Sequence, residues 1–312
     1  MKKRLQNKIS ESRLTLPAVV VYACLCWLLC GLLQKSMWVQ AGCMAVSTFL
    51  MLQLNSINAL LRIYSRMVSC MFLVLSCMVC YLFPSVEGGM TQMFFIATYL
   101  TLFNSYQDQN APGITFYGFL CFGLASLASV HVLFLLPVLW VLMMTNLQSL
   151  SWRTFLASVI GVSLPYLVAL CWGVFQQDLQ FIYDHFLPLA DLHTPFNLSV
   201  LTGSQKISIA VLIVLGTIST IHFWQNSFLD KYRIRMLYGL FIRMDVVVLF
   251  LIFLQPQYYD PLMQLAIVNT TPLIAHFFTL SNSRVSNITF IVSCIAILTF
   301  TAYNIWMSSP IF

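Results

Sequence analysis

Apolar stretches of helix length recur along this chain from residue 14 to residue 307, and few charges interrupt them. In hydrocarbon every backbone N–H and C=O must be bonded within the protein, so such stretches fold either as membrane-crossing α-helices or as strands of a closed barrel. Barrel strands are about ten residues long and alternate in polarity. Residues 133–144, LFLLPVLWVLMM, do not alternate, which excludes a barrel. Composition agrees. The chain is 60% hydrophobic and 8% charged, with a mean hydropathy of +0.87. A soluble domain carries about 25% charged residues. So few charges cannot cover the water-facing surface of 312 residues. The sequence predicts an all-α fold: a polytopic transmembrane helical bundle, one integral membrane domain over residues 1–312.

The pattern gives about eleven spans. They are 14–33, 37–54, 67–83, 90–103, 114–128, 131–144, 155–175, 207–224, 236–254, 262–280 and 287–307. The basic segment 1–13 precedes an apolar run too long for a signal-peptide core and without a small-x-small cleavage site, so the run reads as an uncleaved first span. With the N-terminus inside, the inward segments hold Lys2, Lys3, Arg4, Lys8, Arg13, Arg62, Arg66, Arg153, Lys231, Arg233, Arg235, Arg243 and Arg284. Of the chain's 15 Lys and Arg residues, Lys35 and Lys206 alone fall outside. That bias follows the positive-inside rule, puts the C-terminus outside, and makes a bacterial cytoplasmic (inner) membrane the simplest home.

Three of the spans, 90–103, 114–128 and 131–144, fall short of the roughly 17 residues a crossing needs. Segment 114–144 reads either as a re-entrant pair or as two short helices joined at 128–130. Gly118 and Gly123, with Ala125 and Ser126, allow close helix contact there. Gly88-Gly89, after Glu87, reads as a turn. The longest stretch between spans, 176–206, faces outward. Phe181, Ile182, Phe186 and Leu189 recur in it at helical spacing, predicting a short interfacial helix broken at Pro188 and Pro195. All 10 cysteines lie in apolar segments, so no disulfide framework is indicated. Cys77 and Cys80 have CxxC spacing but no further ligands, and read as small packing residues. No metal or cofactor is expected.

Three constellations could carry chemistry. The outward loop brings Asp184, His185, Asp191 and His193 into one stretch. Carboxylate and imidazole side by side serve acid–base work or a divalent ion, although the spacing matches no metal motif; polar residues on the wet face of an interfacial helix would look the same. The basic loop 225–243 carries Lys231, Arg233, Arg235 and Arg243, at a depth where cations meet lipid phosphates. A plain topology signal would also look like this. Asp245 follows Arg243 near the start of its span. In 262–280, Asn269, Pro272 and His276 place polar groups and a freed carbonyl in mid-helix. Such a patch serves a substrate or proton path, or equally hydrogen bonds between helices. No phosphate-binding Gly loop, HExxH or GxSxG is present.

The order of three stretches resembles an uncharacterised family of bacterial polytopic inner-membrane proteins. They are GFLCFGLASL at 118–127, then Ser151-Trp152-Arg153 leading into GVSLPY at 161–166, then DKYRIR at 230–235 with PLIAH at 272–276. That family brings no activity with it. In layout the chain is also similar to the multi-spanning glycosyltransferases of the GT-C class, which take sugars from polyprenyl-phosphate donors, and to lipid-linked glycan polymerases. The resemblance implies a membrane component of cell-envelope glycan or lipid assembly, with membrane lipids as partners, among them polyprenyl-phosphate or a glycolipid, and no nucleic acid. It transfers no catalytic residue. Where the transferases carry an acid in the first outward loop, this chain has Gln34-Lys35-Ser36. Where the polymerases use outward arginines, it has none. A transporter or flippase working through Asn269 and His276, and a non-catalytic scaffold subunit, are the competing expectations.

Overall fold

A computed structural model of the chain describes residues 4–177, 180–190 and 195–308. Among these there is no strand. In chain order the α-helices are α1 (Leu5–Glu11), α2 (Thr15–Leu29), α3 (Trp38–Asn58), α4 (Met67–Met78), α5 (Val86–Leu102), α6 (Pro112–Ala128), α7 (Leu136–Leu142), α8 (Trp152–Gln176), α9 (Gln180–Ala190), α10 (Gly203–Asn226), α11 (Tyr232–Leu254), α12 (Tyr259–Leu280) and α13 (Arg284–Ser308). All eleven apolar segments of the sequence are helical over most of their length. By length and composition six helical segments can each cross a bilayer: Val130–Leu147, Trp152–Gln176, Gly203–Leu229, Tyr232–Leu254, Pro256–Leu280 and Arg284–Met307. α1 and α2, bent by 89°, make a seventh if they act together.

The residues group into two compact units. The first takes in residues 1–86, 202–242 and 266–312. Trp27 and Phe83 stack at 3.9 Å in its core, where Cys26, Cys30, Cys77 and Cys80 are buried among apolar neighbours. Polar side chains tie its helices together. Gln6, fully buried, donates through Nε2 to the carbonyl and hydroxyl of Ser281 at 2.6 and 2.8 Å. Asn304 in α13 donates to the Met78 carbonyl at 2.8 Å, and Tyr81 to Ser208 in α10 at 2.9 Å. α10 starts at a capping box in which Thr202 and Gln205 satisfy each other's backbone N–H.

The second unit takes in residues 87–201 and 243–265. Its main contact is α6 against α8. A Cβ on Gly161 would stand 2.6 Å from the Phe116 carbonyl oxygen, and one on Gly123 would stand 2.9 Å from that of Val162. Backbone meets backbone there only because both residues lack a side chain. α6 ends at Ser129, which is extended, and a short 3₁₀ segment Val130–Leu135 leads into α7. The break between the two elements of 114–144 thus falls at Ser129, within the 128–130 joint.

Two sequence expectations are corrected. Gly88-Gly89 is not a turn but lies in the first turns of α5. Gly88 packs against the Gln264 side chain: a Cβ would sit 2.6 Å from its amide nitrogen, which would have to swing aside. Taking the pair into the helix lengthens the short fourth segment to 17 residues. Nor does Pro188 break the interfacial helix, since α9 runs through it to Ala190. Proline forfeits one bond to the carbonyl four residues back, here that of Asp184, an exposed residue.

Candidate functional site

The first unit contains a buried ionic cluster. Asp230 lies between α10 and α11, and its side chain is wholly removed from solvent. Arg62, in the loop after α3, donates from Nε to Asp230 Oδ1 at 2.6 Å. His276 of α12, also sealed, places Nε2 3.2 Å from Asp230 Oδ2. Burial pushes the Asp230 carboxyl up, but the bonds from His276 and Arg62 outweigh it and hold the group below its ordinary value. An ionised carboxylate can only accept, so His276 Nε2 is the donor of this bond. The His276 Nδ1 is buried with no hydrogen-bond partner. Tyr238, Phe223 and His222 meet the imidazole edge-on at ring distances of 4.9, 5.3 and 6.2 Å.

Neighbouring bonds converge on the same loop. The Tyr238 hydroxyl donates to the Leu60 carbonyl at 3.3 Å and reaches that of Pro272 at 3.5 Å. Arg233 donates to Asn58 Oδ1 at 3.0 Å. The 58–62 turn, the start of α11 and the C-terminal half of α12 are thus joined by charge and hydrogen bonds. With an orienting carboxylate and a ring nitrogen left over, the pair has the parts of a general base. Sealed as it is, it works first as a structural lock.

The expected phosphate-binding residues Lys231, Arg233, Arg235 and Arg243 divide between the two units. Lys231, Arg233 and Arg235 are exposed at the start of α11, where Arg235 lies over the Tyr232 ring at 5.6 Å. Arg243, two turns further along, belongs to the second unit and donates to Thr145 Oγ1 at 3.0 Å and to Asn146 Oδ1. Asn269 and His276 are both fully buried. Between them Thr270 and Thr271 spend their hydroxyls on the Ala266 and Ile267 carbonyls. Asp245 is buried and engaged.

Of the outward-loop candidates, Asp191 and His193 lie outside the described residues. Asp184 is exposed and His185 half-buried. The second unit surrounds His185 with His131, Tyr166 and Tyr258. Tyr166 is 6.0 Å away ring to ring and donates to Ser126 Oγ at 2.8 Å. His131 stacks on Tyr258 at 3.4 Å, and the Tyr258 hydroxyl donates to the Pro188 carbonyl at 3.1 Å, holding α9 in place. Burial pulls the His185 imidazole below its ordinary value, against weaker upward pulls from the Ser126 backbone and Glu87. Its Nε2 is buried without a partner. Beside it runs a groove of about 490 Å³ between α6 and α8, lined by Leu120, Leu124, Leu164, Val168, Ala169 and Trp172 among others, with His185 its one ionisable group. Among the described residues no three His, Cys, Asp or Glu side chains are placed to hold a metal ion.

Sequence reasoning singled out His276 and His185 but passed over Arg62, Asp230 and His222. The available signal was Asp230 itself, the one acid in a strongly basic loop.

Fold and sites together define an all-helical integral membrane protein. No family model, curated protein or solved structure matches the chain.

Proposed function

We propose that this chain is a bacterial inner-membrane protein that holds a long-chain, lipid-linked molecule, a polyprenyl-phosphate or a glycolipid, as a component of cell-envelope glycan or lipid assembly. One observation carries the reading: the apolar groove between α6 and α8, with α9 beside it and a single unpartnered imidazole nitrogen, that of His185, at its edge. An extended hydrocarbon fits such walls, and the imidazole offers one polar contact to a headgroup. In this reading the chain crosses about eleven times, N-terminus inside and C-terminus outside, with the six long helices supplemented by the shorter ones.

The test is native mass spectrometry of protein extracted in mild detergent. A stoichiometric polyprenyl-phosphate or glycolipid is expected, lost when Ala169→Trp fills the groove. Bulk phospholipid alone, unchanged by that substitution, would overturn the reading.

A second reading, transport along Asn269 and His276, is favoured by the run of buried polar residues in α12. Uptake or flipping assays on Asn269→Leu would decide it.

A further inference from the structure

The loop that ends α3 forms a second cavity, of about 350 Å³, wholly within the first unit. Its walls include Asn55, Ser56, Arg62, Tyr64, Ser65 and Arg66, and no carboxylate lines it. We propose that this cavity is a binding site for a phosphate-bearing anion, with Arg62 and Arg66 as its two cationic ligands.

A loop that only marks topology needs positive charge, but neither a cavity nor a fixed guanidinium. This loop has both. Arg62 is anchored through Nε by buried Asp230, itself fastened to His276. Its two terminal NH₂ groups meet no acceptor among the described residues, and the side chain keeps 29% of its exposure. A guanidinium held along one edge presents the other as a ready fork for phosphate oxygens. Arg66 has no ion pair among the described residues; its one side-chain bond is a long one, 3.5 Å, to the Tyr64 hydroxyl. α4 begins at the next residue, so the positive end of a 12-residue helix adds to the same field. The Tyr64 and Ser56 hydroxyls supply neutral polar groups on the wall. The volume of about 350 Å³ is ample for a phosphate group with a polar substituent.

Two sources offer that chemistry: the headgroup of an anionic lipid, or a soluble phosphate compound. The site is distinct from the groove beside His185 and does not depend on it.

The full chain is placed in nanodiscs of phosphatidylcholine and titrated with inorganic phosphate. In parallel it is placed in discs carrying phosphatidate, and retained lipid is counted by native mass spectrometry. Phosphate binding in plain discs assigns a soluble ligand; retention of phosphatidate alone assigns a headgroup. In whichever arm binds, Arg66→Gln should weaken binding roughly tenfold, the loss of one charge-assisted contact. Arg66→Lys should keep most of it. Ser56→Trp, which fills the cavity with every charge intact, should abolish it. Arg235→Gln, on the exposed start of α11, should leave it unchanged. Binding of neither probe would overturn the site. So would equal weakening by Arg66→Gln and Arg235→Gln, or no effect of Ser56→Trp, because diffuse surface charge would then explain the binding. Melting curves check that each variant is folded, and if Arg66→Gln is not, Ser56→Trp decides.

Discussion

His276 Nε2 and Asp230 Oδ2 stand 3.2 Å apart across 46 residues of chain, both sealed from solvent. The bond joins the C-terminal half of α12 to the segment that starts α11, and Arg62 closes the cluster from the loop after α3. Removing one member of a buried ion group leaves the others uncompensated. Asp230→Asn should therefore cost about 3 kcal/mol, read as a lower melting temperature in mild detergent. Asp230→Ala and His276→Ala should be less than additive in a double-mutant cycle, because either one alone dissolves the lock. Full additivity would mean that the two side chains act separately.

The same carboxylate sets an acid limit. Its folded value lies below the ordinary 3.8, so its contribution is fully present above that pH and is lost as pH falls through the depressed value. Wild type should show this acid-side loss in a melting-temperature profile, and Asp230→Asn should show less of it. Parallel profiles would detach the acid limit from Asp230.

α6 and α8 touch through Gly161, where a Cβ would meet the Phe116 carbonyl oxygen at 2.6 Å. Backbone cannot yield as a flexible side chain can. Gly161→Ala should destabilise by about 1–3 kcal/mol. Gly42→Ala, in α3 with nothing within 4 Å, should be neutral or stabilising. Equal melting temperatures for the two variants would contradict the close contact.

His185 is held below the ordinary imidazole value of 6.5, chiefly by burial. At pH 6.5 a free imidazole is half protonated, and His185 should be mostly neutral. Nitrogen-15 NMR of labelled histidine reads this directly. A midpoint at or above 6.5 would mean that α9 leaves the ring in water.

Gln6 spends its amide nitrogen on two atoms of Ser281, fully buried. Gln6→Ala removes both of these bonds, leaving the 3.3 Å bond from Asn7 to the Ser281 carbonyl, and should cost about 1–3 kcal/mol. It should also speed hydrogen exchange at 277–283. Unchanged exchange would show that α1 is not holding α12.

The helices were legible because hydrophobic run length is a local property of the chain. What escaped depended on partners remote in sequence. Gly88-Gly89 has the composition of a turn, and the close approach of the Gln264 side chain to Gly88 is set by a residue remote in sequence. Pro188 carries a strong breaking tendency, yet α9 runs through it to Ala190 at the cost of one bond, to the carbonyl of exposed Asp184. The His276 imidazole stood out as a polar group in an apolar segment. Its partner Asp230 looked like one more loop residue, because pairing across 46 positions leaves no spacing signature. His185 was legible as a candidate, but the groove beside it was not. That groove is lined by residues of α6, α8 and α9 together, a property of no helix alone.

α12 is the least apolar of the six long candidate spans, and its most apolar window is entirely enclosed by protein. Asn269 and His276 would each be costly to present to lipid tails. This helix is therefore poorly suited to enter the bilayer by itself. During synthesis it needs neighbouring helices already waiting to shield it, and a slow or missing neighbour would leave it stalled at the insertion machinery. Mutations that spare the finished structure but weaken those early companions would then show up as low yield and degradation rather than as lost activity.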